Sequence, residues 1–162
     1  MDRFLFRGKR LDNGEWVKGN FYESKLSGCF ILVPKIKIRK KDGLVIGDNF
    51  EVYEVDPNTV CQCIGWYDSH KTPIFEKDIV EFVGASTHRD LIWWCNEMSE
   101  MTAIPLEGIE FNGYDYWNGN YPKYTYSDFC FMMQDPWGDF NEIKVVGNIV
   151  DNPELLEVQN EA

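Results

Sequence analysis

No stretch of this 162-residue chain reaches the roughly 20 consecutive apolar residues that a membrane-spanning helix requires. The opening Met1-Asp2-Arg3-Phe4-Leu5-Phe6-Arg7 also lacks the longer apolar run of a signal peptide, so a cytoplasmic protein with no membrane partner is expected. Cysteine is scarce and odd in number. Cys29, Cys61, Cys63, Cys95 and Cys130 are irregularly spaced, a poor disulfide framework that fits thiols in a reducing compartment. No apolar repeat of helical period runs beyond about 12 residues, which argues against helix-bundle and doubly wound folds. The G-x-S-x-G elbow of a serine hydrolase is missing as well.

What is present is enough apolar material for a real core: 44% of residues are hydrophobic and 15% aromatic. Length favours one domain over 1–162, with a subdivision into an N-terminal hairpin segment, 1–50, and a barrel, 51–156, carrying a loop-rich insertion at 105–127. The formal charge of −11 is unevenly spread. Residues 1–47 hold 11 Lys and Arg against 5 Asp and Glu, and the remainder hold 5 against 22, so the total splits into +6 and −17. A basic segment of one copy docking on an acidic segment of another would make head-to-tail assembly natural.

Turn and strand signals dominate. Asn13-Gly14 between apolar stretches is a strong hairpin signal, with Val17, Gly19 and Phe21 following on one parity. Cys29-Phe30-Ile31-Leu32-Val33 reads as a more buried strand ended by Pro34. Lys35-Ile36-Lys37-Ile38-Arg39 alternates cation and isoleucine with period two, giving one apolar and one cationic face. Val60–Trp66 and Ile74–Val83 form a second hairpin around Asp68–Pro73, and Leu91–Cys95 with Met101–Ile104 a third. Phe129–Met133 and Glu142–Val150 read as closing strands. Asn152-Pro153-Glu154-Leu155-Leu156 reads as a cap, a proline at the first helical position and one short helix. Strands at spacings near ten residues predict a mainly β, or β-rich α+β, fold: a small SH3-like barrel with hairpin extensions and a short C-terminal helix.

Four motifs occur in order: Phe6-Arg7-Gly8-Lys9-Arg10 with Asn13-Gly14-Glu15-Trp16-Val17-Lys18-Gly19; Val55-Asp56-Pro57-Asn58-Thr59-Val60 with Gln62 and Gly65; Ile74-Phe75-Glu76-Lys77-Asp78-Ile79-Val80; and Gly147-Asn148-Ile149 with Asn152-Pro153-Glu154-Leu155-Leu156. In these the chain resembles the YopX family of phage and prophage proteins from Gram-positive bacteria. It departs from the pattern at Lys77, where the family usually has glycine, at the turn containing His70, and through 105–127. The resemblance implies a mixed β fold, a tendency to oligomerise and no established activity, and it supplies no catalytic residues.

Chemistry is sparse. Cys61, Cys63, His70 and His88 are the richest metal-like set, but C-x-C without a second matching pair is not zinc spacing, and buried thiols with solvent histidines are expected. Tyr114-Asp115-Tyr116-Trp117 with Asp128, Asp135 and Asp139 offers paired carboxylates, more simply read as a tyrosine-rich loop with solvated acids. Ser86 near His88 has no third group. No cofactor, metal or catalytic residue is assigned. The expected interaction surface comprises Lys35, Lys37, Arg39, Lys40 and Lys41, whose alternating cations suit phosphates or a subunit contact, and Trp93 and Trp94. The expected function is that of a non-enzymatic phage accessory protein acting by self-association, as a homo-oligomer, and by binding a host or phage protein. An acidic DNA mimic that inhibits a DNA-handling enzyme is the first alternative. A nucleic-acid binder through 35–41, which the acidic remainder disfavours, is the second, and a hydrolase using Asp128 or His88 comes last.

Overall fold

A computed structural model describes residues 4–35, 39–41, 44–46, 49–84, 87–95, 100–106 and 140–156. The fold is mainly β, built of antiparallel sheets. Its chain forms two compact units, Met1–Cys63 and Ile64–Ala162.

In the first unit, β1 (Phe6–Lys9), β2 (Trp16–Ser24), β3 (Gly28–Lys35) and β6 (Asn49–Val55) make a meander in the order β6-β3-β2-β1. The first half of β7 (Cys61–Tyr67) flanks β1, and β4 (Arg39–Lys41) with β5 (Leu44–Ile46) forms a separate two-stranded ribbon. The hairpin around Asn13-Gly14 forms, but only Gly14 takes a positive φ, 73°. Asn13 instead accepts the Glu15 N–H on its Oδ1 at 3.0 Å, so the turn is longer than a two-residue one. The predicted period-two strand through Lys35–Arg39 divides: β3 ends at Lys35 and β4 begins at Arg39.

One face of this meander is its interior. Ile31 and Val55 are fully buried, and the Phe6 and Phe21 rings pack with centroids 5.3 Å apart. Small residues let the sheet curl over that face. A Cβ on Gly19 would stand 2.3 Å from the Leu32 carbonyl oxygen, and one on Gly8 3.0 Å from Val55 Cβ. The curl brings the end of β1 against β6 through an Arg10–Val55 bridge, with Leu11 N–H donating to Glu54 C=O at 3.0 Å and Asp56 N–H to Lys9 C=O at 2.9 Å. The expected SH3-like barrel does not close among the described residues, because this contact is a single bridge and not a ladder.

The second unit holds β8 (Pro73–Phe75), β9 (Asp78–Gly84), β10 (His88–Cys95), β11 (Glu100–Pro105) and β12 (Phe140–Asn148), with sheet order β11-β10-β9-β12. Central β9 is buried from Asp78 to Phe82. Its inner parity, Val80 and Phe82, packs with Ile64, Ile74, Ile92, Ala103 and Ile143, each of the larger side chains contributing about 1.5–3 kcal/mol on burial. Its outer parity carries Glu81, whose carboxylate takes Arg89 Nε and Lys144 Nζ at 2.9 Å each. The single strand expected over Ile74–Val83 breaks at Glu76-Lys77, where Lys77 adopts φ 68° and Asp78 Oδ2 accepts the Phe75 N–H at 2.8 Å. After β12 the expected short helix is only a 3-10 turn, Pro153–Leu156, its Leu155 N–H bonded three residues back to Asn152 C=O.

Candidate functional site

The basic stretch is only partly a free cationic face. Lys35 is exposed but paired with Glu51, which holds its ammonium pKa above the ordinary value. Arg39, Lys40 and Lys41 form β4, opposite Ile46, Val45 and Leu44; their side chains, and all of Lys37, lie outside the described residues. Trp93 and Trp94 lie in β10 opposite Thr102 and Met101, and their side chains are likewise outside the description. So are Ser86 and residues 107–139, with Asp128, Asp135, Asp139 and Cys130.

The metal-like set has other occupations. Cys61 and Cys63 are buried thiols outside any disulfide, and Cys61 Sγ donates to Thr59 C=O at 3.1 Å. His70 Nε2 lies on the surface 3.3 Å from Glu142 Oε1. His88 is buried and stacked on Phe82, with centroids 4.9 Å apart. Among the described residues, no group of three His, Cys, Asp or Glu could hold a metal ion.

The four sequence motifs build turns and strand contacts. Asp56 caps the turn Pro57–Thr59 by accepting the Asn58 N–H at 2.9 Å, and Thr59 Oγ1 accepts the Lys9 N–H at 2.8 Å. Arg7 lies over the Trp16 ring, 4.6 Å from its centroid. Asn148 Oδ1 accepts the N–H groups of Val150 and Asp151 at 3.0 Å each, shaping the chain before Pro153. Asp56, Thr59 and Asn148 of these motifs therefore serve backbone geometry, within a turn or between distant segments.

One group departs from that pattern and had no sequence signal. Asp90 sits on the core face of β10, opposite Val80 in β9 and Pro105 in β11. It is completely buried, and among the described residues neither carboxyl oxygen has a hydrogen-bond partner. His88 Nε2 lies 4.0 Å from its Oδ1. Burial pushes the Asp90 carboxyl up to about 7. An alternating strand reads Asp90 as solvent-facing or core-facing only once its register is known.

The exposed counterpart is on the first unit. Strand register places Tyr22, Phe30, Leu32, Pro34, Phe50 and Val52 on one face of β2, β3 and β6. Tyr22, Phe50 and Val52 are 57%, 60% and 58% exposed, against 0% for Ile31 on the opposite face. At the side of this strip an open hollow of about 340 Å³ is lined by Leu11, Asp12, Val52, Tyr53 and Glu54. A contiguous exposed apolar strip at a sheet edge is the physical mark of a protein-binding surface. The alternation of β2 and β3 hinted at it, but Phe50 and Val52 join the strip only because β6 pairs with β3.

No curated protein matches the chain. The family model described as YopX protein matches residues 5–157, nearly the whole length, and the chain therefore belongs to the YopX family.

Proposed function

We propose that this chain is a non-enzymatic accessory protein of phage or prophage origin, working in the bacterial cytoplasm by binding protein, including further copies of itself. The exposed apolar strip of Tyr22, Phe50 and Val52 carries this reading. Three large apolar side chains more than half exposed on one sheet face lose their contact with water only when another surface covers them. The motif residues support a non-enzymatic role, because Asp56, Thr59, Asp78 and Asn148 are engaged with neighbouring backbone.

An acidic DNA mimic has less support. It needs carboxylates arrayed on a surface, whereas Asp68, Asp78, Glu81 and Asp90 in the acidic part of the chain are all buried. Nucleic-acid binding through 35–41 is weakened by the pairing of Lys35 with Glu51. Sedimentation of the wild type and of Tyr22→Glu/Val52→Glu over a concentration range tests the protein-binding reading. Concentration-dependent assembly that the double variant abolishes is the expected result. A wild type that stays monomeric, with no change on substitution, would remove the self-association.

A further inference from the structure

We propose that two copies of the chain join through β6, antiparallel about a two-fold axis beside Glu51, with Phe50 of each copy entering the hollow of the other. This pairing presupposes the self-associating module described above and names its contact surface.

Backbone geometry shows which groups of β6 are available. Leu11 N–H donates to Glu54 C=O, so the peptide groups of Glu54 point away from β3. Alternate residues of a strand share that direction, so the N–H and C=O of Phe50 and Val52 also point outward. β6 is the terminal strand of its sheet, and among the described residues nothing pairs with these groups. Beyond Tyr53 the edge is already taken by the Arg10–Val55 bridge and by Leu11. A partner strand therefore has room only alongside Asn49–Tyr53.

That restriction selects the register. With the axis beside Glu51, Phe50 of one copy faces Val52 of the other and the reverse. All four outward peptide groups of each copy are then satisfied, giving four hydrogen bonds across the interface. An axis beside Val52 would drive the incoming Phe50 toward Glu54, where Leu11 stands. In the chosen register Phe50 instead meets Val52, a lining residue of the hollow together with Leu11 and Tyr53. A side chain 60% exposed and a hollow on the same edge, walled by Leu11, Val52 and Tyr53 with Asp12 and Glu54 at its polar side, thus fill one another reciprocally, the self-complementarity that a two-fold interface demands. The two Phe50 and two Val52 side chains become one patch, continuous with Leu32 and Pro34.

Charge also fits a second copy. The two Glu51 residues face one another across the axis, and each already holds its own Lys35 and accepts the Tyr53 hydroxyl at 2.9 Å. Two cations and two carboxylates then balance at the centre. Glu51 is held below its ordinary pKa, first by Lys35 and then by Tyr53.

The first test is Glu51→Cys. Directly opposed residues in such a pair have Cα atoms about 4.5 Å apart, inside the range a disulfide spans. Mild oxidation should give a covalent dimer, while the wild type and Lys18→Cys, which lies two strands from the edge, should not. The second is Val52→Pro, which deletes an outward N–H that no bond among the described residues uses. Two interface bonds are lost by symmetry, so dimerisation should weaken roughly thirtyfold. Assembly that survives Val52→Pro, together with failure of Glu51→Cys to cross-link, overturns β6 pairing and leaves self-association standing. A wild type that is monomeric at every concentration overturns both. The cross-link decides even where the proline variant folds poorly.

Discussion

Replacing Asp90 by asparagine should stabilise the protein, and the gain should depend steeply on pH. The carboxyl is fully buried on the core face of β10, among Val80, Phe82 and Ile92, with both oxygens lacking a hydrogen-bond partner among the described residues. Its pKa rises from 3.8 to about 7 because burial penalises the charged form. The folded state therefore binds this proton more tightly than the unfolded state. Stability from the neutral carboxyl is complete below pH 3.8 and is lost as pH rises toward 7, after which the loss is constant. At about 1.4 kcal/mol per pH unit, the charge costs about 2 kcal/mol at pH 5 and about 4 kcal/mol at pH 8. Asparagine keeps the shape and cannot ionise. The stability difference between Asp90→Asn and wild type should thus be about 2–3 kcal/mol larger at pH 8 than at pH 5. For a chain of this length that is roughly 5–10 °C in Tm. Urea denaturation of both proteins at the two pH values measures it directly. Equal differences at pH 5 and pH 8 would refute the reasoning, since they would mean that Asp90 does not change its ionisation between folded and unfolded states.

Three further substitutions probe how the chain turns and packs. Asp68 accepts N–H groups of His70, Thr72 and Val145 at 2.9, 2.7 and 3.2 Å. Burial raises its pKa, but these donors outweigh burial and hold the carboxyl below 3.8. Asp68→Ala should cost about 2–4 kcal/mol near pH 7, and the deficit should shrink as pH falls below 3.8, followed by denaturant unfolding at pH 7 and pH 3. Lys77 occupies φ 68°, a conformation that strains a side chain, while its backbone is fixed to Ile92 and Ile149. Lys77→Gly should therefore raise stability by about 0.5–1 kcal/mol, read as a higher Tm. Gly19→Ala should lower it by about 2 kcal/mol or more, because the added methyl would stand 2.3 Å from the Leu32 carbonyl oxygen; calorimetry of the variant checks this.

Composition and turn chemistry by themselves determined that this is a mainly β chain, and the ordered motifs identified its family. Asn13-Gly14 marked the first hairpin because few residues other than glycine tolerate a positive φ, and the polar stretches after Trp66 and Cys95 marked the next two. These are local effects, written in neighbouring residues. The break at Glu76-Lys77 escaped detection for the same reason: lysine stands where a glycine would have announced the turn, and the strain is held by hydrogen bonds to Ile92 and Ile149, distant in sequence. The short C-terminal helix was over-read from Pro153: the segment Pro153–Leu156 is a 3-10 turn, its Leu155 N–H bonded to Asn152 C=O. Only tertiary structure decided that Asp90 is buried with no hydrogen-bond partner among the described residues and that Phe50 and Val52 are exposed beside Tyr22 and Leu32. Both depend on strand register, and register is set by which distant strands meet. A shift of one residue would exchange the two faces of every strand, while the sequence would read the same.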